Sequence, residues 1–194
     1  MQLLLIFQAR WQSEASLTGG LIHFFSYFTI LSNTLAACVL TSAISRRRTA
    51  MQRVFALPSV AGGVAVSIVV VGVAYSLLLR SLWQPEGVQW WVNEWLHDGM
   101  PLVFLGYWWF GVEKGPLRLA HVARWALFPI VYFAFIMVRG ASIGVYPYPF
   151  IDRGTLGLGQ VLLNALAILG GFLLVAVLIV QLDRFKTAVG NGQA

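Results

Sequence analysis

Long stretches without a single charge, separated by short basic segments, decide most of what this chain can fold into. The runs at 55–79 and 156–182 contain no Asp, Glu, Lys or Arg at all. A helix that crosses a bilayer needs about 20 predominantly apolar residues. In lipid only helices and closed barrels satisfy their own backbone groups. The rest of the composition agrees: 59% of the 194 residues are hydrophobic, 10% are charged and the mean hydropathy is +0.77, against roughly 25% charged residues in a soluble domain. The sequence therefore reads as an integral membrane protein.

The expected fold class is all-α, a polytopic transmembrane helix bundle forming one domain over 1–194. Five spans are clear, at about 21–45, 55–79, 89–111, 125–139 and 156–182. A partial span is expected at 1–10, where "MQLLLIFQA" is apolar but too short to cross and lacks the features of a signal peptide. A net charge of +6 would suit nucleic acid, but the positive residues sit between the apolar runs, as topology signals do, and no nucleic-acid partner is expected. Arg46, Arg47, Arg48, Arg53, Lys114, Arg118, Arg124, Arg184 and Lys186 all fall on one side if five spans alternate. That side is the cytoplasm, which puts the C-terminus inside. Trp83, Trp90, Trp91 and Trp95 then mark the outer boundary, and Trp108, Trp109 and Trp125 the inner one. The lone Cys38 lies in an apolar run and reads as a small hydrophobe.

Against this apolar background the polar residues stand out. In "FFSYFTILSN" (24–33), Ser26, Thr29 and Asn33 are spaced three and then four, so a continuous helix would align them in one stripe. Thr29, His97 and Asn164 each lie about eight residues into their spans, roughly 12 Å deep at 1.5 Å per residue, with Gln160 one turn above Asn164. Intramembrane ionisable residues mark sites by default, and His97 carries the side chain best suited to proton transfer near neutrality. Glu94, three residues earlier, would share its helical face and orient it. His23 and His121 lie near the ends of their segments. The plain alternative for Ser, Thr and Asn in such helices is adhesion between helices, roughly 0.6 to 2 kcal/mol per hydrogen bond. Gly62-Gly63 and Gly170-Gly171 read as close helix packing. The loop "GVYPYPFID" (144–152) brings two prolines and three aromatics to the mouth of any cavity there. The sequence has no HExxH, CxxC or Walker loop, so no metal and no cofactor is expected.

Taken together, "FFSYFTILSN", "LHDGMP" (96–101) and "GVYPYPFID" resemble, in order and spacing, the signature segments of a bacterial family of six-span integral membrane proteins. That family is distantly similar to the eukaryotic androgen-induced (ADTRP-like) intramembrane threonine hydrolases. The resemblance covers nearly the whole chain from about residue 10. It implies a sixth, N-terminal span and location in the bacterial inner membrane. It also implies hydrolysis of lipid esters of the type formed between a fatty acid and a hydroxy fatty acid. The nucleophile falls on Thr29, or on Ser26 in a frame three residues earlier, and the base on His97. Asn33 or Asn164 are then candidates to stabilise the oxyanion. The competing reading is a non-catalytic module that binds or transports a lipid or small amphiphile. In either case the partners are membrane lipids.

Overall fold

In the computed structural model, which describes residues 17–45 and 49–191, the protein is all-α, with no strand among the described residues. The helices are α1 (Leu17–Phe24), α2 (Phe28–Ile44), α3 (Ala50–Phe55), α4 (Pro58–Ala74), α5 (Gly87–Glu94), α6 (Met100–Gly111), α7 (Leu119–Ile143) and α8 (Arg153–Asn191). Two π-turns interrupt this order: Tyr75–Leu79 prolongs α4, and Trp95–Gly99 joins α5 to α6.

Three of the described helices are long and apolar enough to cross a membrane: Pro58–Leu79, Leu119–Ile143 and Arg153–Ala188. A fourth results if Thr18–Phe24 and Phe28–Ile44 are counted as one broken span, bent by 83°. That is fewer than the five clear spans expected. The run at 21–45 is not one straight helix, because the chain turns at Phe25 and Ser26 before α2 begins. The run at 89–111 is helical from end to end, yet Glu94, His97 and Asp98 at its centre leave it too polar to qualify by composition. The partial span expected at 1–10 lies outside the described residues.

Helix α4 forms the centre. Half of its most apolar stretch is buried, against 17% for α7 and 22% for α8, so α4 packs on protein while the other two keep most of their surface outward. Small residues on α4 let its neighbours close in. A side chain at Gly62 or Gly63 would meet the Trp125 indole, which donates from Nε1 to Ser59 O at 2.9 Å. By contrast, a Cβ on Gly170 or Gly171 would meet nothing among the described residues, so the packing role expected for that pair is not seen among them. The main core joins Val64, Ala65 and Ile68 of α4 to Ala36 and Val39 of α2, Phe104 and Trp108 of α6, and Phe172 and Ala176 of α8.

A smaller cluster of Ile136, Tyr148, Ile151 and Val161 closes one end of the bundle. There α7 stops at Gly144, whose φ of 70° is the left-handed cap that glycine adopts without strain. The loop then folds back over the helix ends through a short 3-10 turn, Pro149–Ile151. At the opposite end Asp183 of α8, 1% exposed, accepts the amides of Gly115 and Leu117 at 2.9 and 3.1 Å. Lys114 in the same loop donates to the carbonyls of Val112 (2.9 Å) and Trp108.

Candidate active site

Helix α2 starts abruptly after the turn at 25–27. Its N-cap, Tyr27, offers no side-chain cap, so the first amides of α2 are without the intrahelical partners that later residues have. Thr29 sits in this first turn, 8% exposed. Its amide donates to the Tyr148 hydroxyl at 3.4 Å, which brings the 144–152 loop onto the start of the helix.

His97 reaches the same place from the π-turn Trp95–Gly99. Its Nδ1 lies 2.8 Å from Asn93 O, and since a carbonyl only accepts, Nδ1 must carry the proton. In the neutral ring Nε2 is then the acceptor, and Nε2 faces Thr29 Oγ1 at 3.3 Å. The threonine hydroxyl therefore donates to a nitrogen able to take its proton. The imidazole is held flat against Tyr75, with ring centroids 4.1 Å apart and planes 21° from parallel. Asn93, 2% exposed, donates in turn to the Tyr75 hydroxyl. The two π-turns thus supply the two stacked rings, in keeping with the frequent occurrence of such turns at functional sites.

Gly72 explains how α4 comes so near. A Cβ there would lie 2.8 Å from His97 O, so only glycine permits this approach.

Thr29 and His97 line a cavity of about 220 Å³ between α2, α4, α7, α8 and the 148–151 segment. Its wall is almost wholly apolar, including Val70, Ala74, Phe133, Leu166, Leu169 and Phe172, with Tyr132 and Tyr148 as further polar groups.

The other expected site residues take different places. Ser26 lies in the turn before α2, where its hydroxyl donates to Ile22 O at 2.5 Å and its carbonyl accepts from Tyr132 at 2.8 Å. The expected stripe of Ser26, Thr29 and Asn33 is therefore not a face of one helix. Asn33 uses both Nδ2 hydrogens, toward Thr29 O at 2.9 Å and Leu96 O at 3.2 Å, which leaves it no donor for an oxyanion. Asn164 donates to Phe150 O at 2.8 Å and accepts from Gln160, bracing the loop and not lining the cavity. Glu94 turns away from His97 to pair with Arg80 at 3.1 Å, and Arg80 also binds Asp98. Sequence reasoning did not single out Tyr148, Tyr75, Asn93 or Gly72. Only the aromatic loop around Tyr148 carried a signal, as a cover for a cavity mouth.

Fold and site define a helical, membrane-type bundle that holds a threonine hydroxyl against a proton-accepting histidine at the wall of an apolar cavity. Comparison with protein-family models, curated proteins and solved structures finds no match, so the class rests on this geometry. Among the described residues, no group of three or more His, Cys, Asp or Glu is placed to hold a metal ion.

Proposed function

We propose that the protein is an intramembrane hydrolase of lipid esters, located in a bacterial inner membrane with its C-terminus on the cytoplasmic side. The observation that carries this is the 3.3 Å contact from Thr29 Oγ1 to His97 Nε2, made in the tautomer a general base requires. Thr29 Oγ attacks the ester carbonyl as its proton passes to Nε2, and His97 returns that proton to the departing alkoxide. Water, activated by the same nitrogen, then releases the acyl group from Thr29. The Tyr148 hydroxyl keeps its own proton to donate to the oxyanion, and the uncapped start of α2 supplies positive potential beside it. A backbone carbonyl, Asn93 O, does the orienting that a carboxylate does in serine triads. The apolar cavity suits an acyl chain, and esters of a fatty acid with a hydroxy fatty acid, which the sequence resemblance implies, fit this chemistry.

The test is hydrolysis of long-chain esters by purified protein in lipid nanodiscs. Turnover by wild type that Thr29→Ala and His97→Ala each abolish, with thermal unfolding unchanged, supports the reading. A folded Thr29→Ala variant that turns over normally removes it. The same apolar cavity favours a second reading, binding of a lipid or small amphiphile without chemistry. Thr29-dependent lipid affinity with no hydrolysis supports that instead.

A further inference from the structure

A π-turn carries one residue too many for the α-helical ladder, so some carbonyl near it loses its regular donor. In Trp95–Gly99 the Met100 amide reaches back five residues to Trp95 O, passing over Leu96 O. The next residue cannot make up the loss, because Pro101 has no N–H. Leu96 O is satisfied from another helix, by Asn33 Nδ2 at 3.2 Å, and the second hydrogen of that amide goes to Thr29 O at 2.9 Å. A single side chain therefore ties the carbonyl of the threonine to the carbonyl immediately before the histidine.

From this we infer that Asn33 is a positioning residue that sets the reach of His97 Nε2 to Thr29 Oγ1, with the Pro101-induced π-turn as its receiving half. The inference rests on the Thr29–His97 reading above. Asn33 and Pro101 do not line the cavity, so they act through the pair and not on a bound chain. Leucine matches the shape of asparagine without its donors, and aspartate replaces the donors with acceptors facing two carbonyls. Pro101→Ala acts from the other side: it restores an amide to the helix and lets the turn relax toward the α-helical ladder, carrying Leu96 O and His97 away from Asn33.

The experiment measures covalent labelling of the nanodisc-embedded protein by a long-chain fluorophosphonate, separating the maximal labelling rate from the probe's half-saturating concentration. Asn33→Leu is expected to lower the maximal rate by about tenfold or more, on the scale of small misplacements at reacting centres, with half-saturation within about twofold. In a His97→Ala background the same change is expected to add nothing. Pro101→Ala is expected to lower the rate similarly while raising the unfolding temperature, a pairing that a merely structural role does not produce, and it decides the matter if Asn33→Leu does not fold. An unchanged rate in either folded variant, or equal losses with and without His97, overturns the inference. If wild type does not label, the hydrolase reading fails on its own, and the ¹⁵N resonances of the His97 ring become the readout. An Nε2 resonance that carries the shift of an accepted hydrogen bond in wild type and moves to the free-acceptor value in Asn33→Leu supports positioning, and an unchanged Nε2 resonance overturns it.

Discussion

Gly72→Ala introduces one methyl group where α4 meets the turn that carries His97. The new Cβ would lie 2.8 Å from His97 O, whereas ordinary contact begins at 3.4 Å. The neighbour is backbone, so it cannot swing aside as a flexible side chain would, and the two segments must part by the difference, about 0.6 Å. The Thr29–His97 contact is already 3.3 Å, at the long end for a hydrogen bond, and a further shift of that size breaks it. A misplacement of about 1 Å costs roughly a hundredfold in rate, so a loss of about tenfold is expected. Overpacking in a tight interior costs about 1–3 kcal/mol, so the fold should survive. The assay is the initial rate of ester hydrolysis in nanodiscs, read beside the thermal midpoint of the same sample. A folded Gly72→Ala protein that hydrolyses at the wild-type rate refutes the claim that this close approach positions the histidine.

Tyr148→Phe removes the hydroxyl beside Thr29 and should lower kcat by about a hundredfold or more, the cost of losing one oxyanion donor, with KM little changed; an unaltered kcat excludes the tyrosine as donor. At the far end of the bundle Lys114 offers a pH prediction. Burial is the largest influence on its amine and pushes it down from 10.5 to about 8, while Asp183 opposes that shift and Lys186 adds to it. Between those pH values the unfolded chain binds the proton that the folded chain has released, so stability rises with pH from about 8 toward 10.5. Lys114→Met should flatten that rise in thermal unfolding scans.

The features legible in the sequence came from composition and from polar groups in unlikely surroundings. The charge-free runs around Val66 and Leu174 announced membrane-type helices, and the chemistry of Thr29 and His97 marked them as partners at a common depth. The features that were not legible depend on departures from regular helix. The turn at Phe25 and Ser26 lies in a run as apolar as a straight span, so Ser26 and Thr29 were aligned by a periodicity the chain does not follow there. The extra residue in Trp95–Gly99 breaks the helical register between Glu94 and His97, so Glu94, counted three positions from the histidine and onto its face, pairs with Arg80. Pro101 is plain in the sequence, but how the carbonyl left at Leu96 is satisfied, and hence the role of Asn33, depends on which helix lies opposite. Tyr148 comes from a loop whose fold-back no local pattern specifies.

If Thr29 is a nucleophile activated by His97, the site of covalent attachment reveals it. Wild-type protein in nanodiscs is treated with a long-chain fluorophosphonate, digested and mapped by mass spectrometry. The expected result is a single adduct on Thr29, lost in His97→Ala while that protein remains folded. An adduct on Ser26, or one on Thr29 that forms at full rate without His97, contradicts it.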